Sequence, residues 1–341
     1  MIHTMPYFLL FSSTMALGTL MALSANQWIF IWIGLELNLM SFIPLMTSQQ
    51  SSQGTEAAIK YFLAQAMGSG LLLLGGISLM YHPMMILSPS ISSLLILFSL
   101  LLKLGMAPLH FWFPPVMASL SWPMCLLIST WQKVAPMLLI LYLTNTLWTQ
   151  YTPIIASLGA IVGGIGGINQ TQLRPLLAYS SIGHMAWILA ISPSSSSLSI
   201  TYFLIYLIII LSIMLPLTYL SISSSNQTST LSHQPKWFQI LLLMSLLSLG
   251  GLPPLTGFIP KLFAINILSS TNQIVLLTFL ILGSLMNLSY YLNLFFNIFL
   301  KPPSSSLKYK DTLCSNMLMI MAPMISLPLL PILLNLSNLT I

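Results

Sequence analysis

The stretch Lys103-Leu104-Gly105-Met106-Ala107-Pro108-Leu109-His110-Phe111-Trp112-Phe113-Pro114-Pro115 sets a lysine and a histidine among glycine and prolines inside otherwise apolar sequence. Proline lacks an amide donor, and its ring clashes with the carbonyl one turn back, so a helix entering this stretch is interrupted. The same pattern returns at Gly250-Gly251-Leu252-Pro253-Pro254-Leu255-Thr256-Gly257-Phe258-Ile259-Pro260-Lys261. Long apolar runs flank both stretches, so the released carbonyls lie at membrane depth and need protein or water as partners. The lysine precedes the first interruption and follows the second, the order that inverted-topology repeats produce.

The composition around these stretches excludes a water-soluble fold. Of 341 residues, 57% are hydrophobic and 4% charged, with a mean hydropathy of +0.95; a soluble domain carries roughly 25% charged residues. The predicted fold is an all-α polytopic membrane protein of about eleven transmembrane helices. They are expected at roughly 5–25, 27–46, 57–80, 91–107, 124–145, 152–169, 174–192, 197–221, 237–268, 273–300 and 315–337. The pattern predicts one transmembrane domain, with antiporter-like inverted repeats over 1–145 and 152–300, two interrupted helices, and an extra helix over 315–337. The polar connectors, such as Ser223 to Pro235 and Lys301 to Ser315, are too short for a soluble domain.

With this count, the loops bearing Arg174, Lys236, Lys301, Lys308 and Lys310 fall on the side of the N-terminus, and no loop lysine or arginine falls opposite. By the positive-inside rule the N-terminus is expected on the cytoplasmic or matrix side and the C-terminus across the membrane. The net charge of +6 comes from these loops and from lysines within apolar runs, with no basic cluster, so it is no nucleic-acid signature. Cys125 and Cys314 are too few for a disulfide framework or an iron–sulfur cluster and read as packing residues. The first apolar run lacks a basic leader and a cleavage motif and is read as a mature helix. Gly163-Gly164-Ile165-Gly166-Gly167 reads as a close-packing helix face, since no strand precedes it as a nucleotide loop would require. No His, Cys or carboxylate group has metal-site spacing.

Five charged residues stand inside apolar runs: Glu36, Lys60, Lys103, Lys133 and Lys261. A lysine at the centre of a membrane helix costs about 2.5–3.5 kcal/mol on insertion scales, so each is expected to face protein or a wet cavity. For Glu36 the alternative is a structural carboxylate hydrogen-bonded between helices. For Lys103, Lys133 and Lys261 it is snorkelling, which the distance to the nearest polar loop opposes. Lys60 has Glu56 four residues earlier, the spacing of an ordinary interfacial ion pair, so both readings stand. Four lysines against one deep acid leave excess positive charge at low dielectric, which suits groups that load and unload protons. His110 follows the first break and reads as a relay; a histidine inside a span, as His184 is, reads first as a packing group.

In combination and order, several stretches resemble a known family. They are Trp32-Ile33-Gly34-Leu35-Glu36-Leu37-Asn38, Glu56-Ala57-Ala58-Ile59-Lys60-Tyr61-Phe62, the Lys103 stretch, Trp131-Gln132-Lys133-Val134-Ala135-Pro136, Ala178-Tyr179-Ser180-Ser181-Ile182-Gly183-His184-Met185 and Gly250-Gly251-Leu252-Pro253-Pro254. The whole chain resembles the chain 2 family of mitochondrial NADH:ubiquinone oxidoreductase, complex I, whose members are antiporter-like membrane subunits. Longer relatives have fourteen helices and the short animal form lacks three, which agrees with about eleven spans. Ala186 stands where the family usually has glycine after His-Met.

The resemblance implies a core membrane-arm subunit that translocates protons across the mitochondrial inner membrane, coupled to quinone reduction elsewhere in the complex. It places Glu36, Lys60, Lys103, Lys133 and Lys261 on a buried proton-transfer axis, with His110 at a polar position on it. It implies an N-terminus on the matrix side, a C-terminus on the intermembrane-space side, and synthesis within mitochondria. NADH, FMN, iron–sulfur clusters and ubiquinone belong to other subunits, with no cofactor on this chain. Expected partners are other membrane-arm subunits, neighbouring antiporter-like chains and membrane lipids, and no nucleic acid. The alternatives are a stand-alone cation/proton antiporter of the same fold and a structural membrane scaffold.

Overall fold

A computed structural model describes residues 5–48, 51–80, 88–144, 148–220, 236–253 and 255–299. Every regular element described is an α-helix: α1 Met5–Ser24, α2 Trp28–Thr47, α3 Ser52–Met80, α4 Pro89–Leu104, α5 Phe113–Ser119, α6 Trp122–Ser129, α7 Trp131–Thr144, α8 Thr152–Ile168, α9 Leu173–Ile191, α10 Ser196–Leu220, α11 Lys236–Gly250, α12 Phe258–Ser270 and α13 Ile274–Phe299. Among the described residues six stretches are long and apolar enough to cross a membrane: Tyr7–Ser24, Trp28–Thr47, Ser52–Met80, Trp122–Thr144, Ser196–Thr218 and Ile274–Asn297. Of the shorter apolar helices, Pro89–Leu104 ends at the first break, Gln239–Gly250 and Phe258–Ser270 flank the second, and Thr152–Ile168 stands apart from both. The span expected over 315–337, and the loop lysines Lys301, Lys308 and Lys310, lie outside the described residues.

The chain divides into two compact units at Ile155 and Ala156. In the first, α1 packs on α2, α2 on α3, and α3 on α4, while α7 closes against α1, α4 and α6. Trp148, fully buried, ties the end of this unit to α4 by donating its indole N–H to the Ser93 carbonyl at 3.1 Å. The outer face of α1 carries exposed Leu9, Leu10, Leu17 and Leu20, as expected of a surface that meets lipid or another apolar protein.

In the second unit α9 is the central helix, buried along nearly its whole length and packed by α10, α12 and α13. The glycine run of α8 is a packing face: a Cβ on Gly163 would stand 2.8 Å from the Gly183 backbone nitrogen of α9. Only a residue without a side chain permits that approach.

Both expected interruptions are present: α4 stops at Leu104, with α5 beginning at Phe113, and α11 stops at Gly250, with α12 beginning at Phe258. One further break was not expected. The span predicted over 124–145 is divided at Thr130 into α6 and α7. There Thr130 Oγ1 donates to the Leu126 carbonyl at 2.6 Å, the ladder resumes with Lys133 N–H on the Thr130 carbonyl at 3.2 Å, and Pro136 has no N–H to offer the Gln132 carbonyl. Lys133 consequently sits in the first turn of α7 and not in the middle of a continuous helix.

Candidate functional site

At the first break Gly105 takes a left-handed conformation, φ 68° and ψ 37°, and its N–H turns back to the Leu101 and Leu102 carbonyls. The indole of Trp112 donates to the Leu102 carbonyl at 3.0 Å, and Gln65 of α3 donates to the Lys103 carbonyl at 3.3 Å. Carbonyls that lose helical partners are thus met by protein side chains, as a break at membrane depth requires. Lys103 occupies the last turn of α4, where the negative end of the helix dipole favours a cation. The residue is only 6% exposed.

The Lys103 side chain borders a cavity lined also by Leu35, Asn38, Tyr61, Gln65 and Gln132. A network of neutral groups frames it. Tyr61 Oη donates to Gln132 Oε1 at 3.3 Å, and Gln132 Nε2 donates to Asn38 Oδ1 at 2.9 Å and to the sulfur of Met15 at 3.4 Å. Helices α2, α3, α4 and α7 therefore converge here through buried polar side chains, and α1 joins them through the Met15 sulfur.

Glu36, half-buried on α2, acts electrostatically on both Lys103 and Tyr61. It forms no ion pair with Lys103 within 4 Å among the described residues, where its Oε2 has no hydrogen-bond partner. Lys133 is 2% exposed and lies over the ring of Phe113 at 4.8 Å from the centroid, a cation–π contact inside the protein. Phe113 opens α5, so the first break also supplies the seat for this second lysine. His110 is half-buried in the same break, its ring tilted on Phe111 with centroids 4.4 Å apart. Lys60 is placed differently: it is exposed on α3 and pairs with Glu56.

In the second unit Lys261, 5% exposed in the first turn of α12, reaches back to the end of α11. Its ammonium donates to the Gly250 carbonyl at 2.9 Å and the Leu249 carbonyl at 3.4 Å. These are carbonyls that the break strips of amide donors. Gly251 makes the reach possible: its φ is +83°, and a Cβ there would stand 2.6 Å from the Lys261 nitrogen. His184 on α9 is buried, with Nδ1 3.2 Å from the Tyr202 hydroxyl and its ring against Tyr206.

The first unit thus gathers Glu36, Lys103, Lys133 and His110 around one break, the second holds Lys261 at the other, and Lys60 stands on an outer face. Sequence reasoning passed over Asn38, Tyr61, Gln65 and Gln132. Each is polar within an expected span, or beside a charged residue in a quoted motif, and that was the available signal. Cys125 is a packing residue, its thiol directed at the Met117 carbonyl at 3.4 Å.

Apolar helices broken at buried lysines, with a carboxylate acting on one of them, define an antiporter-like membrane protein. The family model described as "NADH:quinone oxidoreductase/Mrp antiporter, TM" matches residues 25–287. The chain belongs to the NADH-ubiquinone oxidoreductase chain 2 family. It is 43% identical to the Lumbricus terrestris chain 2 over 331 residues, covering 96% of this chain and 97% of that one. The Myxine glutinosa chain 2 is 40% identical over 325 residues, 93% of each. Among solved structures, a chain of respiratory complex I from Thermus thermophilus with bound aureothin superposes with a TM-score of 0.80 at 25% identity, covering 95% of this chain and 77% of that one. A chain of the Mrp complex from Dietzia shares the fold, with a TM-score of 0.75 at 19% identity and coverage of 87% and 61%.

Proposed function

We propose that this chain is a core membrane-arm subunit of a respiratory NADH:ubiquinone oxidoreductase, moving protons across the mitochondrial inner membrane while quinone is reduced elsewhere in the complex. The observation that carries the reading is Lys103, buried at a broken helix end beside a polar cavity and within the field of Glu36. Glu36 and Lys103 lie beyond ion-pair distance, and at an effective dielectric of ~20 two unit charges still interact by about 2 kcal/mol at ~8 Å, enough for a charge change near Glu36 to shift a proton on Lys103. Lys103 then exchanges with Lys133, and the proton passes onward to Lys261, with His110 and water admitted at the breaks as intermediaries. Lys60, paired with Glu56 on the outer face of α3, keeps both its readings, an interfacial ion pair and a station at the edge of the axis.

In this reading the two breaks belong to inverted repeats over 1–145 and 152–300. The N-terminus faces the matrix and the C-terminus the intermembrane space. NADH, FMN, iron–sulfur clusters and ubiquinone are handled by other subunits, and this chain contributes proton translocation with no redox centre of its own. Its partners are the other membrane-arm subunits, including neighbouring antiporter-like chains, and membrane lipids.

The test is proton uptake by vesicles carrying the assembled complex with Lys103→Met or Glu36→Gln. Coupled pumping is expected to fall on the order of tenfold or more, the scale of losing a proton-transfer group. Undiminished pumping with either variant leaves the scaffold reading in its place. The fold shared with the Mrp complex favours a second reading, a self-sufficient cation/proton antiporter. Ion exchange by the purified chain alone in liposomes would establish that alternative.

A further inference from the structure

The donor and acceptor order around the Lys103 cavity is fixed from one end. Gln132 Nε2 donates to Asn38 and Met15, leaving Gln132 Oε1 as the acceptor that Tyr61 must satisfy. Tyr61 has one proton, and it is used in that bond. The tyrosine oxygen can therefore only accept from the cavity. Gln65 behaves alike, because its Nε2 is engaged by the Lys103 carbonyl and its Oε1 is left as an acceptor. Facing these is the Lys103 ammonium, a donor of three hydrogen bonds, in a space with room for about one water.

We propose that Gln132 is a positioning residue for Lys103, acting by orienting Tyr61 so that the cavity binds one ordered water. That water accepts from the Lys103 ammonium and donates to Tyr61 Oη and Gln65 Oε1, about three hydrogen bonds, the usual number for a buried water. It is the hydrogen-bond partner of the Lys103 ammonium in the cavity, so losing it alters the proton affinity of that lysine. Gln132 lies beside Lys133 in sequence and is bonded to Asn38, which is two residues from Glu36, so the same amide ties the acid-bearing helix α2 to the lysine-bearing helix α7. The inference rests on the proton-axis reading above and adds to it a water site and a neutral side chain that sets its polarity.

The experiment compares Tyr61→Phe, Gln132→Leu and the double variant in the assembled complex, by turnover coupled to proton pumping and by a structure that resolves waters. Tyr61→Phe removes a single oxygen and keeps the ring packing, so it decides the matter should Gln132→Leu fail to assemble. Each variant is expected to slow coupled turnover about threefold and raise the solvent deuterium isotope effect, with the double variant no slower than the slower single, because groups acting as one unit are not additive. The water within hydrogen-bond distance of Lys103 Nζ is expected in the unaltered protein and lost in Tyr61→Phe. Unchanged turnover in Tyr61→Phe, additive losses, or a water retained there overturns the proposal. Lys103→Met, run in parallel, keeps the two ideas apart: if it stops pumping while Tyr61→Phe and Gln132→Leu do not, the axis stands and the positioning role falls.

Discussion

At the scale of single residues, burial and partners sort the membrane charges into three kinds. Lys261 is held by backbone carbonyls, Lys133 by an aromatic face, and Lys103 borders a cavity. The Lys261 arrangement depends on Gly251. A Gly251→Ala change places a methyl group against the ammonium and forces a side chain to adopt positive φ, at a cost of about 1–2 kcal/mol in backbone conformation alone. The expected outcome is a lower thermal unfolding midpoint for the assembled complex and a several-fold slower coupled turnover; an unaltered midpoint would mean that Lys261 has another seat. Lys60 makes the contrasting case. An exposed i,i+4 pair contributes about 0.2–0.5 kcal/mol to a helix, so Lys60→Gln is expected to leave stability almost unchanged. It should also slow pumping far less than Lys103→Met, and equal losses in a side-by-side measurement would restore Lys60 to the centre of the axis.

At the scale of elements, the two long breaks were legible because proline and glycine act locally: a missing N–H and a positive φ interrupt a helix whatever packs against it. The division of α6 from α7 at Thr130 was not legible, since no glycine or proline stands at Thr130 to mark it and Pro136 lies six residues further on. Depth was legible for Lys103 and Lys133 from the apolar residues around them, whereas that of Lys261 depended on where the ninth span breaks. For Lys60 it was not legible, because Glu56 made an outer-face pair equally consistent with the sequence. The neutral members of the site, Asn38, Gln65 and Gln132, were hidden because an amide in a membrane span acquires its meaning from what faces it across helices. The first break also makes a prediction of its own. Gly105→Ala meets both a left-handed φ and the Phe113 side chain, whose Cβ would stand 2.9 Å from the added carbon. Because Phe113 carries Lys133 on its ring, the substitution is expected to disturb both lysines of the first unit at once. Coupled turnover should fall further in Gly105→Ala than in Phe113→Leu, which removes the ring and leaves the break intact; the reverse order would detach the break from the seating of Lys133.

At the scale of the whole molecule, each compact unit holds a buried lysine where a helix breaks, Lys103 in one and Lys261 in the other. Two such sites serve one function in either of two ways. If they are separate half-channels, each moves its own protons, and losing one leaves the other's share. If they are stations on one axis, a proton that cannot leave the first never reaches the second, and either loss stops the whole. The proposed function requires the second arrangement. Proton uptake per NADH oxidised should then drop by the same step in Lys103→Met and in Lys261→Met, and the double variant should show no further drop, the non-additivity expected of groups that work as a unit. Independent half-channels give instead two smaller steps that sum in the double variant. Methionine suits the comparison because it is similar in length to lysine and apolar, so it fills the site without leaving an unpaired charge. The amount of each variant chain in the purified complex separates a failure to assemble from a failure to pump. Summing steps would divide the molecule into two pumps and remove the single axis on which the order Lys103, Lys133, Lys261 depends.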